Sequence, residues 1–410
     1  MTPPVEHLVQ PGDLVVAGQV LGEPVALLER LFARSRGGYR LFTGMSLTGV
    51  LTTAPPDVAL SGFVGLGAAA GLIAAGRMDL VPCHMSALPD LLTDGPLRPD
   101  VALVVVSPPD EDGLCHLGVE SDYIFAAARA ARVVLAEINP AVPHVAGDTA
   151  LPFDRLDAFV DSDRPLPEYE RAEPSAVERA IAERVAPFVR DGACLQIGVG
   201  RLGEAVLAAV AGRKNLGLHA GMVGDTILEM VRDGVITNRH KGVDTGLTVA
   251  GSILGSRRAV ALAASEPGLR LRSVAHTNSP SVVAALGDFV SVNSAIEVDL
   301  LGQVNAEVAG GRYIGGIGGS VDFLRAAAAA PDGRSIVAVA ATAKGGTVSR
   351  IVPEVARVTA LRTDVDVVVT EYGTAELGGI SEGDRARRLI ALAAPDHRPA
   401  LERAAKELGL

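Results

Sequence analysis

Short apolar runs alternate with helix-spaced apolar positions along the first 160 or so residues. Residues 13–18 and 39–44 have the apolar character of strands, and 23–35 and 67–76 the period of helices. The runs VALVVVS at 101–107 and RVVLAEIN at 132–139 show no polar alternation, which is the pattern of strands covered on both faces. Between them SDYIFAAARAA, 121–131, has helical spacing. Strand, helix and strand in this order predict a parallel sheet with helices packed on it.

The rhythm breaks at DSDRPLPEYERAEP, 161–174, where prolines interrupt regular structure and charges keep the chain in water. It then restarts: a helix over 175–190, a strand over 193–198, a helix over 202–212, a strand over 216–220 and a helix over 224–234. The expectation is an α/β protein of two similar open-sheet domains, 1–165 and 166–410. A chain of 410 residues is long enough for two cores.

Composition narrows the function. Apolar residues make up 48% and charged ones 21%, as in a globular enzyme. Aromatic content is 3% with no Trp, so the core is built from aliphatic side chains and no base-stacking platform exists. With a formal charge of −11 as well, nucleic acid is not an expected partner. Cys83, Cys115 and Cys194 form no CxxC and no paired framework, which gives no support to a disulfide scaffold or a metal site and points to a reducing, cytoplasmic setting. The beginning lacks the basic and apolar regions of a signal peptide, and no run of about 18 apolar residues predicts a membrane span.

Two glycine-rich turns carry candidate chemistry. CLQIGVGRL, 194–202, ends a strand and begins a helix, where backbone amides and the helix dipole favour anions. Its GVGRLG lacks the full dinucleotide spacing, so a nicotinamide oxidoreductase is a poor second reading. YIGGIGGSVDF, 313–323, holds Gly315, Gly316, Gly318 and Gly319 ahead of a helix; it suits either close approach to a ligand or a tight chain crossing between domains. The polar stretches 292–307, 341–353 and 370–379 look like loops facing a cleft. Within them Asn293, Glu297 and Asp299 fit backbone capping, and Lys344 fits either a phosphate contact or a solvated surface.

The succession SPPDEDGLCHLGV, PHVAGDT, QIGVGRL, LHAGMVGDTILEMVRDGVITN, NSAIEVDLLGQVNAE, GGIGGSVDF, KGGTVSRIVP and TEYGTAEL covers nearly the whole chain. It resembles the acetyl-CoA hydrolase/transferase family, in particular its 4-hydroxybutyrate CoA-transferase branch. The resemblance implies two class I CoA-transferase α/β domains, an acyl-CoA site in the cleft between them, a homodimer, and coenzyme A, bound as the acyl-CoA substrate, with no metal. It implies CoA contacts from Gly198, Val199, Gly200, Arg201 and Leu202 and from positions near Ile296 and Gly319. Backbone amides near Val199 and in the loop 315–319 would form an oxyanion hole.

One position departs from the family pattern. CoA transfer runs through a glutamate that attacks the thioester and becomes a glutamyl-CoA. Where the family reads roughly His-Ser/Thr-Glu-Met-x-Ser-Asp, this chain reads His219, Ala220, Gly221, Met222, Val223, Gly224, Asp225, with Gly221 in the glutamate's place. The expected reaction is direct transfer of the acyl group to a small-molecule acceptor, or to water, with His219, His116, Asp225 or His84 as candidate general bases. Structural roles compete for each histidine, and Cys83 and Cys115 read as small buried residues. The competing readings are a CoA-transferase that uses Glu204, Glu297 or Asp225 as its carboxylate, and a non-catalytic acyl-CoA-binding protein.

Overall fold

The computed structural model describes residues 4–34 and 37–410. The first sheet is built of β1 (Leu14–Ala17), β2 (Arg40–Thr43), β3 (Ala59–Gly62), β4 (Met78–Leu80), β5 (Val101–Val106), β6 (Val133–Ile138) and β7 (Ala158–Asp161). Every pairing is parallel and the spatial order is β4-β3-β2-β1-β5-β6-β7. β5 and β6 are buried along their whole length, as their unbroken apolar runs require.

The second sheet contains β8 (Cys194–Ile197), β9 (Gly217–Val223), β10 (Thr248–Ile253), β11 (Leu269–Leu271), β12 (Phe289–Ser294), β13 (Arg334–Ala338), β14 (Val367–Thr370) and β15 (Gly373–Glu376). Its order is β11-β10-β9-β8-β12-β13-β14-β15, parallel except for the last strand. Its first seven strands repeat the order of the first sheet, so the two lobes share one topology. In each, the order reverses beside the first strand, between β1 and β5 and between β8 and β12. A crevice opens at such a reversal, beyond the carboxyl ends of the strands, and that is where open α/β sheets take ligands.

Helices fall where the apolar period put them, with trimmed ends. The 23–35 expectation becomes Val25–Arg34, with residue 35 outside the described residues, and 121–131 becomes Ile124–Ala130. Helix Ala176–Val185 begins at Ser175, whose hydroxyl accepts from the Glu178 amide in a reciprocal capping box. Residues 162–175 before it contain no helix or strand.

Backbone seams join the lobes. The Ile253 amide donates to Val119 O (2.8 Å) and the Ser121 amide to Gly251 O (2.8 Å), so 119–122 lies along the edge of β10 that β11 leaves open. On the other side the Gly65 amide donates to Gly315 O at 2.7 Å. The largest apolar cluster runs through both lobes and includes Leu14, Val104, Leu195 and Val290.

Candidate functional site

A cleft of about 360 Å³ lies between the lobes, at the two strand-order reversals. Gly198 and Val199, just past β8, and Ser294 and Ile296, at and beyond the end of β12, line it from the second lobe. Gln19, just past β1, lines it from the first. The cleft also brings together Gly221, Gly315, Gly316, Gly318 and Gly319, so the glycine positions singled out from the sequence meet in one cavity, with Gly200 as the exception.

Gly221 sits in β9 with no left-handed backbone, and a Cβ there would touch only Phe323 Cε2, at 3.8 Å. The strand does not need glycine at this position, and its missing side chain leaves open space in the cleft.

The 315–319 loop divides in two. A Cβ on Gly316 would lie 2.8 Å from Val64 Cγ1 and one on Gly315 2.0 Å from Ala306 O. The amides of these two residues are committed to Ala306 O and Glu307 O. This half is the tight crossing between lobes, and its amides are not available as oxyanion donors. Gly318, at φ +52°, and Gly319 have amides without a hydrogen-bond partner among the described residues, as does Val199. A Cβ on Gly319 would meet Asn278 Nδ2 at 2.6 Å.

The remaining expected site residues lie outside the cleft. Gly200 lines an adjoining pocket with Glu204 and Asp225. Arg201 opens helix Arg201–Val210 and pairs with Glu178 at 3.2 Å, and Leu202 packs on the core. Lys344 stands in a hairpin between Thr342–Ala343 and Val348–Ser349; neither this stretch nor 370–379, which contains β15, lines the cleft. Glu297 accepts from Asn305 Nδ2 at 2.9 Å and serves the local fold.

None of the histidines expected as bases reaches the cleft. His219 is fully buried, its Nε2 donates to Thr277 O at 2.9 Å, and burial pushes its pKa down to about 3. It is a neutral structural ring. His116 Nε2 lies 2.9 Å from Asp110 Oδ2 and its ring stacks on His144, which brings ligand atoms of these three side chains within 4.8 Å of one another, away from the cleft. His84 Nε2 faces the Arg325 guanidinium at 3.5 Å. Asp225 is tied to Ser256 by the amide (2.9 Å) and the hydroxyl (2.5 Å). Burial pushes the Cys83 and Cys115 thiols up to about 11, so neither is a thiolate near neutral pH.

The sequence reading missed the acid that does line the cleft. Asp122, buried at 2% exposure, accepts from Gln19 Nε2 at 2.7 Å and Ser252 Oγ at 2.5 Å. Burial raises its pKa. Glu120 beside it is wholly buried, its Oε1 has no partner, and burial together with the charge of Asp122 raises its pKa well above the usual range. Three distant segments build this network. The available signal is the acidic pair Glu120 and Asp122 just ahead of a helix; the predicted helix 121–131 takes in Asp122 and leaves Glu120 out.

Residues 6–167 match the model of the acetyl-CoA hydrolase/transferase N-terminal domain and 255–405 that of the C-terminal domain. The chain is also 37% identical over 400 residues to the 4-hydroxybutyrate coenzyme A transferase of Clostridium kluyveri, covering 94% of this chain and 92% of that one. The chain belongs to the acetyl-CoA hydrolase/transferase family. Among solved structures, RipA from Yersinia pestis superposes with a TM-score of 0.93 at 32% identity, covering 100% of this chain and 97% of RipA. The 4-hydroxybutyrate CoA-transferase of Porphyromonas gingivalis gives 0.82 at 33%, covering 98% and 96%. The two-domain α/β CoA-transferase fold expected from the sequence is therefore the fold of this enzyme, and its chemistry is of the acyl-CoA transferase and hydrolase class. No helix among the described residues is long and apolar enough to cross a membrane.

Proposed function

We propose that the protein passes the acyl group of an acyl-CoA thioester directly to a small-molecule acceptor, or to water, without a glutamyl-CoA intermediate. The observation that carries this is Gly221: it faces the cleft between the lobes with open space where a side chain would stand. An acceptor placed in that space sits beside the thioester carbonyl. The free amides of Val199, Gly318 and Gly319 are the donors that would stabilise the developing oxyanion. Gly198, Val199 and Ile296 would hold the CoA side; the family likeness favours a homodimer and the unpaired cysteines a cytoplasmic setting.

The carboxylates of a conventional transferase fit less well. Glu204, Glu297 and Asp225 lie outside the cleft. Asp122 is in it, but each of its oxygens already accepts two hydrogen bonds.

Incubation of the purified protein with a panel of acyl-CoAs, with and without acetate, followed by mass spectrometry, tests the reading. Release of free CoA with no protein adduct of CoA mass is the expected result. A CoA-mass adduct on a carboxylate would establish glutamyl- or aspartyl-CoA chemistry instead, and tight binding without turnover a non-catalytic role.

A further inference from the structure

Direct attack on a thioester leaves one requirement open, because the attacking water, hydroxyl or amine must lose a proton and none of the histidines reaches the cleft. We propose that Asp122 and Ser252 form the relay that takes this proton. The inference rests on the direct-transfer reading above.

Ser252 lies in β10 directly across from Met222, the residue after Gly221. Gly221, Met222, Ser252 and Asp122 all line the one cleft. Its hydroxyl gives its one proton to Asp122 Oδ2, and no other hydrogen bond engages the oxygen among the described residues, so its lone pairs are uncommitted. Asp122 is fixed from behind: Oδ1 accepts from the amides of Tyr123 (2.5 Å) and Ile124 (3.3 Å), and Oδ2 also accepts from Gln19. Both Ser252 and Asp122 line the cleft floor and are closed to bulk water. Met222, half-buried on the same strand face as Ser252, is the flexible side chain that an acceptor would displace.

The step balances. As the bond from acceptor to carbonyl carbon forms, the acceptor's proton passes to Ser252 Oγ and the proton of Ser252 passes to Asp122 Oδ2. Collapse of the tetrahedral adduct breaks the carbon–sulfur bond, and the same proton returns through Ser252 to the departing CoA thiolate. The products are the acylated acceptor and CoA thiol, with Asp122 again ionised.

The titratable neighbour of Asp122 is Glu120, whose own pKa burial and Asp122 raise, with Glu23 behind it; Tyr123, also beside it, points its hydroxyl away to Ala17 O. The carboxylate form is required, so turnover is present above the Asp122 pKa and lost as pH falls through it.

The test compares Asp122→Asn and Ser252→Ala with the unaltered protein, using water and then hydroxylamine as acceptor. Hydroxylamine is a strong nucleophile that attacks without a general base. CoA release to water is expected to fall about 100-fold or more in both variants, with release to hydroxylamine within about threefold of the unaltered protein. The acidic limb of the pH profile should disappear in Asp122→Asn, and Ser252→Thr, which keeps the hydroxyl, should retain turnover. Equal losses with both acceptors, or an acidic limb that persists without Asp122, would overturn the relay while leaving direct transfer standing. A CoA-mass adduct, or no CoA release from the unaltered protein with either acceptor, would overturn both.

Discussion

Gly221 stands where the family resemblance leads one to expect a glutamate, and its surroundings leave room for one. A new Cβ has Phe323 Cε2 as its only neighbour within 4 Å, so Gly221→Glu places a carboxylate in the cleft with no backbone strain. The expected outcome is exchange of CoA between acyl-CoA and acetate, with a borohydride-sensitive adduct of CoA mass on the protein. A folded variant that binds acyl-CoA yet forms no adduct would show that the inherited geometry is gone. His219 illustrates the opposite case, a residue whose sequence context suggested chemistry and whose structure removes it. Its folded pKa of about 3 lies below its ordinary value of 6.5, so the unfolded chain binds the proton first. Stability is therefore full above about pH 6.5 and falls as pH drops toward 3, by roughly 1.4 kcal/mol per unit. Denaturant unfolding at pH 5 against pH 7 should show a loss of about 2 kcal/mol that His219→Gln, still able to donate to Thr277 O, largely abolishes. Sequence could flag both residues because motif order survives in one dimension. It could not separate them, since a ring pointing into a core and one pointing into a cleft occupy the same place in a motif.

At the scale of elements, the helix Ser320–Ala329 ties the glycine loop to both lobes. Asp322 in its first turn accepts from the Ser86 amide (3.0 Å) and hydroxyl (2.6 Å) of the first lobe, and from Asn278 Nδ2 (3.1 Å) of the second. Asp322→Ala leaves these donors unpaired and should cost about 3 kcal/mol, with weaker acyl-CoA binding as the loop loosens, both measurable by denaturation and titration calorimetry. Gly319→Val drives a side chain into Asn278, so loss of acyl-CoA binding should come with a stability loss of about 1–3 kcal/mol. Unchanged affinity would remove this loop from the site. The elements themselves were legible: VALVVVS became the buried β5, and the proline-rich 161–174 separates the two sheets. What pattern could not show is that the Gly315 and Gly316 amides are tied up in the crossing while those of Gly318 and Gly319 have no partner among the described residues, although all four line the cleft. Gln19, Asp122 and Ser252 escaped in the same way. They are more than 100 residues apart in sequence and meet only because 119–122 covers the free edge of β10.

At the scale of the whole molecule, two lobes of one topology share a continuous apolar cluster and several backbone seams. Neither lobe can open fully without exposing core residues of the other, so a single cooperative heat-capacity transition is expected rather than two. The cleft lies on the dividing surface, with Gln19 and Asp122 supplied by one lobe and Gly198, Gly221 and Gly319 by the other. An acyl-CoA bound there engages only the assembled pair, and binding to the folded state alone stabilises by mass action. At a ligand concentration 100 times Kd this amounts to about 2.7 kcal/mol, which for a chain of this length raises Tm by about 3 °C. Calorimetry should show the whole transition moving upward while remaining one peak. A split in which half of the heat shifts and half does not would mean that the ligand contacts one lobe only. The glycines and the acid network would then belong to separate sites, and direct transfer over Gly221 would lose its structural basis.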